Sequence, residues 1–392
     1  MTPQARVQAA IDILDLVIEA ARGQGAPADR IVADWFRTRR FAGSKDRRAV
    51  RELVYAAIRA CGPVPDSGRA AMLRQAQVDP NLAALFDGQG HGPAPIRPGE
   101  PVAAGGVAPG WLAEALAQSD IAGEAAEALL ARAPLDLRVN TLKADRARLE
   151  LPEAAEPTLA PNGLRLPHGT PIEQWAAYQS GQIEVQDTGS QLACAALAVQ
   201  PGELVVDLCA GAGGKTLALA ADMAGRGRLI ASDTHRARLA QLAPRAVRSG
   251  VTMIETRLLD PGREAAALDD LRGQADAVLV DAPCSGTGTW RRNPEARWRL
   301  TSAELDRYVA VQARLLDLAA GLLRSGGRLG FVTCSFLDAE GASQAEAFLA
   351  RHADWRGLPL ALGAGQPRGP GLRLTPQHDQ TDGFFIACFE KP

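Results

Sequence analysis

The stretch Val278-Leu279-Val280-Asp281-Ala282-Pro283-Cys284-Ser285-Gly286-Thr287-Gly288 reads as a strand buried on both faces that ends in an acid, a proline and a thiol. Apolar, β-branched residues up to Val280 fit a central parallel strand, both of whose faces are covered. Pro283 has no N–H to give to a ladder, so the strand stops there. Asp281 and Cys284 therefore leave the sheet at the carboxyl end of a strand, where open α/β sheets place their ligands. Leu329-Gly330-Phe331-Val332-Thr333-Cys334-Ser335 is a second short apolar run ending in a cysteine. Two parallel strands thus deliver two thiols to one rim.

Outward from these runs, everything after Gln186 alternates strand and helix, the sign of a parallel sheet with crossover helices. Strands are expected at 204–208, 228–232, 252–258, 277–281 and 328–333, with a last one at 384–389. The helix 302–323 carries a capping box in Thr301 and Glu304. Its apolar stripe is Leu305, Val309, Leu315, Leu316 and Leu322, and Gly326 suits its C-terminal cap.

Residues 1 to 60 read as helical. Val7, Ile11, Leu14, Ile18 and Ala21 recur at helical spacing, and the glycines and proline of 23–27 end that helix. Helices follow at 28–37 and from Ser44, a candidate N-cap, through Val50, Leu53, Val54 and Ile58. Arg37, Arg39, Arg40, Lys45, Arg47, Arg48 and Arg51 face the single acid Asp46. That run is a solvated helix face or a contact for RNA phosphates. Residues 76–108, with Gln89-Gly90-His91-Gly92-Pro93-Ala94-Pro95, read as a Gly/Pro-rich linker. Helical spacing returns at Trp111, Leu112 and Leu116, and 135–140 alternates like a strand. The chain is therefore divided into a helical domain (1–75), the linker (76–108), a small α+β module (109–185) and a large α/β domain (186–392).

No run of about 18 apolar residues is present, so no transmembrane helix is expected. The first residues lack the layout of a signal peptide, and a cytoplasmic protein is expected. A formal net charge of -2 gives no overall attraction to nucleic acid. None of the six cysteines forms a C-x-x-C pair, so no metal site is expected. Cys61, Cys194 and Cys388 read as packing.

The first strand of the large domain runs into Asp207-Leu208-Cys209-Ala210-Gly211-Ala212-Gly213-Gly214-Lys215-Thr216. A phosphate loop has the ending Gly214-Lys215-Thr216, but its first glycine falls on Cys209. A dinucleotide fingerprint starts at Gly211 and Gly213, but its third glycine falls on Thr216. The remaining reading is a nucleoside cofactor without phosphates, such as S-adenosylmethionine, held close to the loop backbone. Acids after successive strands favour it: Asp233 suits both ribose hydroxyls and Asp260 an adenine amino group.

Asp281-Ala282-Pro283-Cys284-Ser285-Gly286-Thr287-Gly288, followed by Arg291-Arg292-Asn293-Pro294 and Trp298, resembles the RsmB/Sun (Nop–Sun) family of RNA cytosine-5 methyltransferases. Thr333-Cys334-Ser335, the loop Cys209 to Thr216 and the tail Thr381-Asp382-Gly383-Phe384-Phe385 are similar to its other signatures. The likeness spans about 110–392. Lys45-Asp46-Arg47-Arg48 through Leu53-Val54 resembles a shortened NusB-like, all-helical RNA-binding domain.

The resemblance implies a Rossmann-like class I methyltransferase domain. It implies that S-adenosylmethionine is bound by Cys209, Ala210, Gly211, Ala212, Gly213, Gly214, Lys215, Asp233, Asp260 and Asp281. It also implies Cys334 as the nucleophile, Cys284 as the residue that assists release, and Asp281 as the contact to the ring nitrogen of cytosine. Both thiols are expected to have partial thiolate character. The expected partner is RNA, with ribosomal RNA foremost, and no membrane. Arg291, Arg292, Arg297 and Arg299 are read as candidate phosphate contacts and Trp298 as packing. Two departures stand out: Ala212 replaces the usual proline, and 62–108 is short for a full NusB fold. The competing readings are a DNA cytosine-5 methyltransferase, with Cys284 as nucleophile, and a non-catalytic RNA-binding assembly factor.

Overall fold

In the computed structural model, which describes residues 1–23 and 25–392, the apolar spacing of the N-terminus produces the helix Pro3–Arg22. The Thr2 side chain accepts from the Ala5 N–H, Pro3 fills the first turn, and Gly23 is the C-cap. Val7, Ile11, Leu14, Ile18 and Ala21 are all buried. Helices follow at Ala28–Arg37, Ser44–Ala60 and Gly68–Ala76. Gly68 lies against the first helix so closely that a Cβ there would sit 2.3 Å from the Ile11 carbonyl. Ser44 is the first helical residue rather than the cap. Gly43 takes the cap position with no side-chain bond, and both are exposed, where water can serve the free N–H groups.

The chain forms two compact units, Met1–Ala131 with Thr289–Thr301, and Arg132–Gly288 with Ser302–Pro392. Residues 76–108 belong to the first. They contain a short helix, Pro80–Ala83, and they are tied down: the Ala103 N–H donates to Ala70, Gly62 donates to Ala104, and Arg69 pairs with Glu100. Leu82, Phe86 and Ala103 join the apolar core of that unit. The Gly/Pro content that reads as a linker is a covering strap.

The second unit begins with an antiparallel sheet of β1 (Leu135–Val139), β2 (Glu156–Pro157), β3 (Gly163–Leu166) and β4 (Ile183–Val185), in the order β2-β3-β1-β4. The large sheet follows: β5 (Leu204–Asp207), β6 (Arg228–Asp233), β7 (Ile254–Leu258), β8 (Ala275–Asp281), β9 (Leu323–Thr333), β10 (Arg356–Leu358), β11 (Gln366–Arg368), β12 (Gly371–Leu374) and β13 (Phe384–Glu390). Its order is β11-β12-β13-β9-β8-β5-β6-β7, with β10 on β13. β5 to β9 pair in parallel, whereas β10 to β13 are antiparallel.

Alternation along β8 explains its apolar run. Val278 and Val280 pack into one layer with Leu315 and Leu316 of the helix Ser302–Leu322. Ala277 and Leu279 pack into the other with Leu192, Leu217 and Leu242, from the helices Thr188–Ala196, Gly214–Asp222 and Leu242–Ser249. The Rossmann-like α/β fold expected from the sequence is present. Gly326 differs from expectation. The helix runs directly into β9 at Leu323, and Gly326 lies inside that strand at φ +71°, its N–H donating to Lys391. The β8–β9 register moves from Ala275↔Leu323 to Ala277↔Arg328, so the glycine serves a bulge rather than a cap.

Candidate active site

β5 and β8 are neighbours, while β6 and β7 continue on one side and β9 on the other. This is the point where strand order reverses, and open α/β sheets place their ligand crevice at the carboxyl ends there. The glycine loop leaves β5 into it, and Asp281, Pro283 and Cys284 leave β8 beside it. β9 pairs with β8 in register Asp281↔Val332, which brings the two thiol-bearing exits together. The sulfurs of Cys284 and Cys334 lie 3.3 Å apart, both half-buried.

The bond to Cys334 and burial push the Cys284 thiol well above its usual range, with the nearby Glu340 adding to the effect. That direction runs against the thiolate character expected for Cys284. The cation of the site is directed elsewhere. Lys215 Nζ donates to Asp281 Oδ2 at 2.7 Å and lies 5.4 Å from the centre of the Phe384 ring. Burial pulls the Lys215 ammonium down, but the Asp281 carboxylate outweighs it and the group is held above its usual range. Lys215 is a loop residue by its backbone and a partner of Asp281 by its side chain. Asp281 Oδ1 is without a partner among the described residues.

Sequence reasoning missed the frame beneath the sulfurs. Glu340 is fully buried, and its Oε1 accepts from the Ser285 N–H (2.8 Å) and from Gln312 Nε2 (3.2 Å). Its Oε2 accepts from the hydroxyls of Ser335 (2.6 Å) and Ser285. Gln312 Nε2 also donates to the Pro283 carbonyl at 2.9 Å. The tail is fixed in the same place: Gly383 donates to the Gly288 carbonyl at 2.8 Å, and Gly288 donates to that of Cys334 at 2.9 Å. A Cβ on Gly383 would meet the Phe336 ring at 2.1 Å, which is the physical reason for a glycine in that tail.

On the loop side, Gly211 and Gly213 take φ +57° and +84°, where side chains are disfavoured. A Cβ on Gly214 would meet nothing within 4 Å. Asp233 Oδ2 accepts from the Gly211 N–H (2.7 Å) and Oδ1 from the His235 N–H (2.6 Å). Each oxygen keeps a further lone pair. Arg245 fixes the Ala212 carbonyl at 2.6 Å. Ala210 is buried, Cys209 is half-buried with its thiol pushed well up by burial, and Asp260 is exposed past the end of β7. The structure thus joins Cys284 to Cys334, Asp281 to Lys215, and Asp233 to Gly211 by direct contact. Asp260 bonds to none of them.

Two of the arginines after the motif, Arg297 and Arg299, are a correction: their guanidinium groups serve backbone carbonyls. Within the first unit, Arg297 is 1% exposed and donates to the carbonyls of Ile58 (2.7 Å) and Cys61 (2.9 Å), so it closes the end of the helix Ser44–Ala60. Arg299 donates to Gly25 and Ala26, at 2.8 and 2.7 Å. Arg291 is buried and Arg292 half-buried. Trp298 packs as expected, its N–H on the carbonyls of Cys61 and Gly62. Cations remain available elsewhere in the same unit. Arg37 pairs with Asp34, Arg48 with Glu52, Arg39 lies over Trp35, and Arg47 donates to Ala42. Arg40, Lys45 and Arg51 are exposed with no partner among the described residues, and Phe41 beside them is 72% exposed.

A family profile described as 16S rRNA methyltransferase RsmB/F matches residues 194–390. The chain is 38% identical over 303 residues to a "Probable ribosomal RNA small subunit methyltransferase B" of Synechocystis sp., covering 72% of this chain and 66% of that protein. It is 39% identical over 291 residues to the ribosomal RNA small subunit methyltransferase B of Xylella fastidiosa, covering 71% and 67%. The matched stretch thus spans about two thirds of the length of those relatives. The crystal structure of PH0851 shares the fold over 100% of this chain and 99% of its own, with a TM-score of 0.76 at 24% identity.

Proposed function

The chain belongs to the RsmB/F family of 16S rRNA methyltransferases, and from that membership we propose that it transfers a methyl group from S-adenosylmethionine to carbon 5 of a cytosine in ribosomal RNA through a covalent bond to Cys334. The observation that carries this reading is the pair of sulfurs 3.3 Å apart at the ends of adjacent parallel strands, beside Asp281.

Carbon 5 of cytosine is a poor nucleophile. Adding a thiol at carbon 6 gives carbon 5 enamine character and divides one hard step into easier ones. Cys334 Sγ forms the bond to carbon 6, and its proton is balanced by protonation of the ring nitrogen next to the amino group. Asp281 Oδ1 is the acceptor for that N–H, while Lys215 holds Oδ2 in place.

Open space at Gly214 and the remaining lone pairs on Asp233 fit a nucleoside cofactor approached by backbone, with Gly211, Gly213 and Gly214 as the cradle. Asp233 is assigned to the ribose hydroxyls and Asp260 to the adenine amino group. Bound there, S-adenosylmethionine supplies an electrophilic methyl carbon on a sulfonium.

Release breaks the C5–H bond and the bond from carbon 6 to sulfur, and restores the C5–C6 double bond. Cys284 gives its S–H proton to the departing Cys334 sulfur and takes the C5 proton in exchange. Both thiols end protonated, and the ring nitrogen returns its proton to solvent. A Cys284 thiol pushed up by burial and by its bond to Cys334 suits this exchange. The base must leave any stack, so a single-stranded segment is the substrate. Arg40, Lys45, Arg51 and the exposed Phe41 support an RNA-binding role for the helical unit: cations for phosphates and a ring for stacking.

The test is a denaturing gel of protein with unmodified 16S rRNA and S-adenosylmethionine. Cys334→Ala is expected to give neither adduct nor methylation. Cys284→Ala is expected to accumulate a protein–RNA adduct. An adduct with Cys334→Ala and none with Cys284→Ala would reverse the assignment and favour the DNA-type use of the Pro-Cys thiol.

A further inference from the structure

The Glu340 side chain is buried to 0% exposure, and its partners among the described residues are all neutral: one backbone N–H, one amide and two hydroxyls. A buried carboxyl group with no cation beside it is costly unless it is hydrogen-bonded, and a full set of donors is what makes it tolerable. What those donors are is informative. Ser285 follows Cys284 and Ser335 follows Cys334, so one carboxylate joins the residues next to both sulfurs. The two hydroxyls are themselves 3.2 Å apart, and Thr287 Oγ1 lies 3.2 Å from that of Ser335.

Cys284 is also gripped from its other side. Gln312 holds the Pro283 carbonyl and Glu340 at once, so the peptide groups on either side of Cys284 are both fixed. Glu340 is itself placed by its backbone carbonyl, which accepts from Thr333 Oγ1 at 3.0 Å. Cys334 has a second fixing: its peptide group lies at the end of the paired strand β9, and its carbonyl receives the Gly288 N–H. Cys284 lies beyond the last ladder pair of β8 and has no strand partner.

We propose that Glu340, assisted by Gln312, is a positioning residue that holds the Cys284 sulfur at proton-exchange distance from Cys334 and so governs release of the methylated RNA rather than attachment to it. The inference rests on the reading of the two thiols given above. Losing the carboxylate frees the Pro-Cys-Ser turn while Cys334 stays on its strand. Attachment continues, and the proton exchange that ends the cycle is misaligned.

The experiment uses the full chain with S-adenosylmethionine and unmodified 16S rRNA. Glu340→Ala is expected to form adduct as the wild type does and to release it about tenfold to a hundredfold more slowly, the scale of an ångström's misplacement. The adduct band then persists, kcat falls, and KM for RNA is unchanged. Glu340→Gln is expected to restore release, because its amide oxygen still accepts from Ser285 N–H and the serine hydroxyls can turn to accept from its NH2. Gln312→Ala is the deciding variant if Glu340→Ala does not fold, with the same slowed release expected. A folded variant that releases at the wild-type rate overturns the proposal. So does one that loses attachment and turnover together, because that is the mark of a merely structural role. If Cys284→Ala accumulates adduct and Glu340→Ala does not, only this inference fails. If Cys284→Ala accumulates none, the reading of the thiols fails first.

Discussion

Asp207 ends β5 fully buried, with the Thr216 hydroxyl on Oδ2 at 2.6 Å and no partner on Oδ1 among the described residues. Burial pushes its carboxyl up to about 7, the Thr216 bond opposes this, and the Asp281 charge adds to it. The ordinary value is 3.8. Between the two, the folded chain keeps a proton that the unfolded chain has released, so stability falls as pH rises through that window. The contribution is at most about 4 kcal/mol, taking 1.36 kcal/mol per pH unit. Asp207→Asn keeps an acceptor for Thr216 and removes the charge. Urea unfolding at pH 5 and pH 8 is expected to show a smaller loss of stability for the variant than for the wild type, and equal losses would exclude Asp207 as the source. The same scale explains what the sequence disclosed about the site. Asp281, Cys284 and Cys334 were legible because each follows an apolar run at a strand end. Glu340 was not, because its role depends on donors 28 and 55 residues away, and no local pattern marks it.

Elements were legible where one local signal sets them. The β8 run and its proline stop, the glycine loop and the first helix all follow from short stretches. Element ends were less so. β9 begins at Leu323, well before 328, because Ser325, Gly326 and Gly327 look like a helix stop and only distant partners make the stretch strand: Ala275 of β8 for Leu323, and the Lys391 backbone for Gly326 and Gly327. The tail before β13 is set by backbone contact of the same tertiary kind. Gly383 and Gly288 meet with no room for a side chain: a Cβ on either would come within 2.8 Å of the other's backbone. Gly383→Ala must push the Phe336 ring or separate the tail from the strand exit. Overpacking of this sort costs about 1–3 kcal/mol. A lower urea midpoint with an unchanged slope is the expected result, and an unchanged midpoint would mean the tail yields without cost.

At the scale of the molecule, the chain passes from the Pro283-Cys284 motif into the helical unit at Thr289 and returns at Ser302. The residues of that excursion are fitted to the helices. Glu295 Oε1 accepts from the Ala28 N–H at 2.9 Å, at the start of the helix Ala28–Arg37, and Arg297 closes the end of Ser44–Ala60. Burial pulls the Arg297 guanidinium down to about 10, so the carbonyls it serves are what hold it there. Local sequence presents this stretch as an exposed basic turn, since its partners lie more than two hundred residues earlier. Replacing Arg297 with Met takes the shorter of two donors from each of the Ile58 and Cys61 carbonyls, which keep the Cys61 N–H and the Trp298 N–H at 3.3 Å, and is expected to cost about 1–3 kcal/mol in all, read as a lower urea midpoint. A truncated chain, 132–392, goes further, because it keeps the excursion and removes the helices that Glu295, Arg297 and Trp298 bond to. Trypsin is expected to cut that fragment rapidly at Arg291, Arg292, Arg297 and Arg299, while the full chain resists at those positions. If the fragment resists as well as the full chain, the helical unit is not what orders the segment that follows the Pro283-Cys284 motif.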